Sequence, residues 1–207
     1  MPVRFQKKCT SGAHILVWEA MEDEVTLFAD LPSSILTDAE YHAITHPKKR
    51  LEMLTSRLAI RTLASSIGVQ FEGIKKDEHG KPYLYGSSFQ MSITHSSKFM
   101  AVIMHPTHQV GIDIERPKEK MWRITERLFS PAEIKDIDHD LTNMSIYWSA
   151  KEALYKLYGK RSTDFRENLI IHKKDDGLYG EIIMPEYHHI HRLYTIPVDN
   201  YILVYAV

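Results

Sequence analysis

Val110-Gly111-Ile112-Asp113-Ile114-Glu115 alternates apolar and acidic side chains through its last four positions. That is the period of a β-strand, with Ile112 and Ile114 on one face and Asp113 and Glu115 on the other. Two carboxylates sharing a direction repel each other and are costly to desolvate, so they need a cation, basic partners or open water. Taken alone, the stretch reads equally as a solvated sheet face or as a pair neutralised by a neighbour such as Arg116.

Working outward, β-rich runs precede this strand at 70–75, around Tyr83 after the His79-Gly80 turn, at 89–94 and at 99–104. Helices are expected after it over 121–128, 131–138 and 143–158, then strands over 169–172, 178–184, 192–196 and 201–207. Ser130-Pro131-Ala132-Glu133 has the pattern of a capping box with proline at the first helical position, and Asp175-Asp176-Gly177 that of a hairpin turn. Near the start, 14–18 and 25–29 read as short strands. A polar Pro32-Ser33-Ser34 stretch then leads into a helical region over 37–67 that Gly68 ends. Leu51, Leu54 and Leu58 give that helix a core face, and Arg50, Arg57 and Arg61 give it a basic stripe. Helix followed by about four strands thus occurs twice, with the seam near 105–108. The expectation is an α+β protein of two similar halves, 1–106 and 107–207.

Composition is compatible with this. A chain of 207 residues with 43% hydrophobic and 26% charged residues can bury a core. Its formal net charge of -1 disfavours a protein that coats nucleic acid. Cys9 is the single cysteine, which excludes an intrachain disulfide and any multi-cysteine metal site. No apolar run is long enough to span a bilayer, and Met1 to Gly12 lacks the apolar core of a signal peptide. A cytoplasmic protein with no membrane partner is expected.

Three further segments bear on the acidic strand. Trp148-Ser149-Ala150-Lys151-Glu152-Ala153-Leu154-Tyr155-Lys156 is a strong helix former in which Glu152 and Lys156 lie one turn apart. Alone it reads as a surface ion pair with Trp148 packed as core. If the acidic strand faces it, Asp113, Glu115 and Glu152 supply three hard oxygen ligands that substrate phosphates and water complete to a magnesium octahedron. Gly80-Lys81-Pro82 places a cation beside a rigid turn, and Ser92-Ile93-Thr94-His95-Ser96 ends a strand in hydroxyls and an imidazole suited to anionic oxygens.

The order of these four motifs, with Phe129-Ser130 and Glu133 ahead of the last, closely resembles the 4′-phosphopantetheinyl transferases of the surfactin-synthetase type. The resemblance runs from about Lys48 to Gly159. It implies a pseudodimer of two α+β halves with the active site between them. The implied reaction is transfer of the phosphopantetheine arm of coenzyme A to a serine of an apo acyl or peptidyl carrier protein, releasing adenosine 3′,5′-bisphosphate. By the same resemblance, Asp113, Glu115 and Glu152 are magnesium ligands, and Lys156 neutralises the pyrophosphate. Glu152 and Lys156 are the implied catalytic pair, Glu152 as acceptor of the serine proton. Lys81 and Pro82 lie along the adenine, and Thr94 contacts phosphate. His95 and Arg61, with Lys48 and Arg57, surround the 3′-phosphate. Where the family often has Asn-x-Ser-His-Ser, this chain has Ser92-Ile93-Thr94-His95-Ser96, which alters the donor set but keeps a β-hydroxyl.

A monomer is implied, since one chain holds both halves. Arg116, Lys118, Met121, Trp122 and Arg123 are placed by position to meet a negatively charged carrier. Two other readings use the same residues: a metal-dependent hydrolase of nucleotide pyrophosphates, and a non-catalytic coenzyme A-binding protein. His172, His188, His189 and His191 lack the spacing and acidic partner of familiar zinc motifs and read as solvated.

Overall fold

The structure is a computed structural model that describes residues 2–31 and 39–207. The chain is α+β. Four strands, β1 (Val3–Lys8), β2 (His14–Glu19), β5 (Gln90–His95) and β6 (Phe99–His105), form an antiparallel sheet in the order β1-β2-β6-β5. Five others, β7 (Gly111–Glu115), β8 (Leu169–Lys174), β9 (Gly177–Met184), β10 (Tyr187–Val198) and β11 (Tyr201–Ala206), form a second sheet in the order β7-β11-β10-β9-β8. A small hairpin of β3 (Ile74–Lys76) and β4 (Pro82–Leu84) stands beside the first.

Each sheet carries one long helix. Helix α3 (Pro47–Ser66) packs Leu54, Leu58, Ile60 and Leu63 onto Leu16, Val102 and Met104 of the first sheet, with the short helices α1 (Glu24–Ala29) and α2 (Ala39–Ala43) beside it. Helix α6 (Leu141–Tyr158) packs Ala150, Ala153, Leu154 and Leu157 onto the second, after a 3₁₀ turn (Glu119–Ile124), α4 (Thr125–Leu128) and α5 (Pro131–Ile137). Between the sheets lies a third apolar cluster. Ile15, Val17, Ala101 and Ile103 face Ile112, Ile114, Leu203 and Tyr205 there. β6 and β11 are buried along their whole length because both of their faces are covered.

Several sequence expectations are corrected here. Residues 25–29 are helical, because the Asp23 side chain accepts from the Thr26 amide as an N-cap and turns Leu27 into the core. The helical region over 37–67 is broken at 44–46, where Pro47 begins α3. Pro32-Ser33-Ser34 and the start of that region at Thr37 lie outside the described residues. The run at 70–75 contributes only the short β3, and the strand expected at 192–196 extends over Tyr187–Val198. The Ser130–Glu133 capping box is present in full. Among the described residues, no helix is long and apolar enough to cross a membrane.

Candidate active site

The open edge of the first sheet, β5, meets the open edge of the second, β7, and α6 lies against the acidic face of β7. The alternation of β7 holds. Ile112 and Ile114 enter the cluster between the sheets, which leaves Asp113 and Glu115 on the side of α6. Gly111 permits this approach. A Cβ there would stand 1.8 Å from the Ala153 carbonyl oxygen and 2.7 Å from the Leu157 nitrogen, both backbone atoms of α6.

Asp113 is buried at the meeting point. Its Oδ1 accepts from the Thr94 hydroxyl of β5 at 2.9 Å and from the Lys156 ammonium of α6 at 2.8 Å. Lys156 also donates to the Ile112 carbonyl at 3.2 Å. The ion pair open to Lys156 one turn back on its own helix is therefore replaced by a pair across elements. The other carboxylate oxygen, Oδ2, is buried without a hydrogen-bond partner. Glu115 accepts from the Arg116 amide at 3.1 Å and from Lys118 at 3.3 Å. Burial pushes the Glu152 carboxyl up to about 7, with the charges of Asp113 and Glu115 adding to the shift and Lys156 opposing it.

Among the described residues, no group of three or more His, Cys, Asp and Glu side chains is drawn together tightly enough to hold a metal ion. Asp113 is turned to Lys156 and Thr94, and Glu115 to Lys118. The donor set still fits a hard divalent cation. All three candidates are carboxylates, Glu152 feels the charge of the other two, and Asp113 Oδ2 is a buried acceptor with nothing to accept.

Beside these residues a cavity of about 260 Å³ is lined by Lys156 and Tyr155 of α6, Met91, Ser92 and Ile93 of β5, and Gly80, Lys81 and Pro82. It shares Gly80, Pro82 and Ile93 with a second cavity of about 560 Å³, lined also by Thr94, His95, Arg57, Ser56, Lys75 and Lys76. Together they make a cleft that runs from Lys156 to a basic end. At that end His95 stands 3.5 Å from Glu52, which Lys48 approaches at 3.9 Å from an exposed position. Arg57 is buried and pairs with Glu40 at 3.3 Å, an acid it shares with Lys76.

Lys156, Thr94, His95, Pro82 and Arg57 line this cleft, and Asp113 lies behind it, held by Thr94 and Lys156, with Glu152 feeling the charges of Asp113 and Lys156. The structure does not bring in Arg61, which donates to the Asp30 carbonyl beside α1 and lines neither cavity. The arginines read as a basic stripe on α3 instead reach different parts of the protein: Arg50 the Ile44 carbonyl at 2.6 Å, Arg57 Glu40, Arg61 Asp30. The Lys81 ammonium is turned away from the cleft that the residue helps to line. It donates to Gln109 Oε1 at 2.6 Å and to the Leu157 carbonyl at 2.7 Å, and burial pulls its pKa down to about 8.

Sequence reasoning missed Lys75, Lys76, Ser56 and Tyr155 as cleft walls. The paired lysines before the His79-Gly80 turn were the one available signal. It also missed the fully buried Lys151, whose ammonium meets Glu133 at 2.9 Å and the Phe165 carbonyl at 2.7 Å. Of the five residues placed to meet a carrier, Met121 is in the core and Trp122 packs on the His139 ring. Lys118 and Met121, with Lys120, Ile124, Trp148 and Glu115, line a further cavity of about 300 Å³. His172 and His188 are both tied to Glu181, on either side of it, rather than free in solvent.

Residues 109–206 match a family model described as the 4′-phosphopantetheinyl transferase superfamily. A 4′-phosphopantetheinyl transferase of Bacillus subtilis is 30% identical over 152 residues, which cover 69% of this chain and 67% of that protein. A phosphopantetheinyl transferase of Thraustochytrium sp. is 29% identical over 134 residues, covering 53% of this chain and 46% of that protein. The family match takes in β7 and α6, the two elements that carry Asp113, Glu152 and Lys156.

Proposed function

The chain belongs to the 4′-phosphopantetheinyl transferase superfamily, and from that premise we propose that it moves the phosphopantetheine arm of coenzyme A onto a serine of an apo acyl or peptidyl carrier protein. The observation that carries this reading is the position of Asp113. It is gripped by Thr94 from one sheet and Lys156 from the helix of the other, two residues that line a cleft with a basic far end.

In this reading the adenosine end of coenzyme A lies in the cleft. Pro82 and the backbone of Gly80 and Lys81 form one wall, and His95, Arg57 and Lys76 stand at the end that takes the 3′-phosphate. Lys48 and Arg61 keep a place in the proposal only as longer-range positive charge. Asp113, Glu115 and Glu152 would hold magnesium, which supplies charge neutralisation at the pyrophosphate when bound. Lys156 is placed to turn its ammonium from Asp113 to the pyrophosphate and to stabilise the charge that grows on the leaving phosphate. The serine oxygen bonds to the phosphorus on the pantetheine side, the bond from that phosphorus to the bridging oxygen breaks, and Glu152 accepts the serine proton, directly or through water. The halves 1–106 and 107–207 then each contribute a wall. The occupant of the 300 Å³ cavity beside Glu115 is the carrier, met there by Lys118 and Lys120. We further propose that the protein works as a monomer in the cytoplasm.

The test is to incubate the protein with coenzyme A, magnesium and an apo carrier protein and to weigh the carrier by mass spectrometry. A gain of one phosphopantetheine arm is expected. Conversion of coenzyme A with no gain by any of several carriers would instead mark a hydrolase, and binding without conversion a non-catalytic protein. Asp113→Asn keeps an acceptor for Thr94 but loses the charge, so transfer should fall by at least about a hundredfold while the thermal unfolding curve stays close to that of the parent.

A further inference from the structure

We propose that Lys81 is a positioning residue whose ammonium fastens the end of α6 to the start of β7 and so aims Lys156 at Asp113, rather than a group that contacts the substrate. Its activity arm rests on the transferase reading above, and its structural arm does not.

Three observations support it. The ammonium donates to two acceptors only, as far as the described bonds go: Gln109 Oε1 at 2.6 Å and the Leu157 carbonyl at 2.7 Å. Gln109 lies two residues before the start of β7, which bears Asp113, and Leu157 directly follows Lys156 on α6. One cation from the β3–β4 turn therefore ties together the two elements whose side chains meet at the site. Second, the last carbonyls of a helix lack partners within it and form its negative end, so a cation there is favourable on both counts. Third, the stem of Lys81 needs the space at Gly159. A Cβ there would stand 2.6 Å from Lys81 Cδ, and the φ of +74° at that residue is itself one that glycine adopts freely.

The side chain also lines both the 260 Å³ cleft and a separate cavity of about 290 Å³ behind it, and its two acceptors, Gln109 and Leu157, line the second cavity and not the first. The stem is thus a partition, with its charge on the far side from Lys156's cleft. Removing the charge also removes a desolvation cost, which burial exacts from Lys81. Lys81→Met is accordingly expected to fold.

The experiment compares Lys81→Met, Gln109→Leu, the double variant and Lys81→Arg with the parent. Hydrogen exchange on the protein without substrates reads the structural arm. The amides of residues 156–159 should exchange faster in Lys81→Met and, to a smaller degree, in Gln109→Leu, with partial recovery in Lys81→Arg. Steady-state kinetics read the other arm. In Lys81→Met, kcat should drop by about tenfold to a hundredfold, the scale of a small misplacement of a reacting group, with the KM for coenzyme A held. The double variant should be no worse than Lys81→Met, because both changes break one clamp. Unchanged exchange at the end of α6 overturns the proposal. So does a raised KM for coenzyme A with kcat preserved and Gln109→Leu silent, which would make Lys81 a direct ligand. If no variant nor the parent transfers the arm, the functional reading fails, and the exchange data still decide whether Lys81 positions α6.

Discussion

A methyl group at position 111 would sit 1.8 Å from a backbone oxygen of α6, well inside any tolerable contact, and neither β7 nor α6 can yield without moving a core. Gly111→Ala is therefore expected to destabilise the protein by about 3 kcal/mol or more and to cut transfer even under conditions where it folds, which urea unfolding and activity at low temperature would measure separately. A loss below about 1 kcal/mol would mean that α6 shifts freely. At this scale the sequence was informative wherever a side chain's face decides its partner. Strand alternation placed Asp113 and Glu115 together, and helical spacing placed Glu152 beside Lys156. It was uninformative wherever a long side chain chooses among several acceptors. Lys81 and Arg61 each reach a backbone carbonyl far along the chain, 76 and 31 positions away, and no local pattern encodes that choice.

Among the elements, α5, α6 and β8 converge on one carboxylate. Glu133 Oε2 accepts from the Ser130 amide at 2.7 Å and from Lys151 at 2.9 Å, and Oε1 accepts from the Ile171 amide of β8 at 2.9 Å. The last of these satisfies one amide on the outer edge of β8 with a helix side chain rather than another strand. Both side chains are almost wholly buried, at 0% and 1% exposure for Lys151 and Glu133, so the pair escapes the screening that weakens surface ion pairs. Lys151→Met should cost about 3 kcal/mol, and Glu133→Ala should cost more, since it orphans three donors where the first leaves Glu133 two backbone partners. Equal losses in urea unfolding would show that the ammonium alone sets the energy. The capping box was legible because it depends on residues three apart; the Lys151 bond, 18 positions away, was not. The misread of 25–29 has a similar cause. Val25, Thr26 and Phe28 favour strands by type, and Asp23 as N-cap outweighed them.

Across the whole molecule, Lys81 links pH to stability. Its pKa is about 8 in the folded protein against an ordinary 10.5, lowered by burial with Asp77 opposing. The other titratable groups around it are His79, Tyr158, Lys160, Glu186 and Tyr187. Between those two pH values the unfolded chain holds a proton that the folded chain has released. The burial cost is thus fully felt below pH 8 and relieved as pH rises towards 10.5. The stability of the parent relative to Lys81→Met should rise over that window by up to about 3 kcal/mol, read from urea unfolding at the two ends; a flat difference would place the Lys81 amine in water. The α+β class and the recurrence of a long helix among strands were legible from periodicity. The pairing of β7 with β11, and the meeting of β5 with β7, join strands distant in sequence and were visible only in three dimensions.

That pairing also bears on how the protein is made. β7 is translated before every helix and strand of its own sheet, and its hydrogen-bonding partner β11 after all of them. A nascent chain therefore carries the acidic strand, with Ile112 and Ile114 able to meet the first sheet but its ladder to β11 unmade, through the synthesis of α6 and three hairpin strands. Folding of the second sheet therefore waits for β11, and a chain halted before residue 201 presents the unpaired edge of β7 as a template for aggregation.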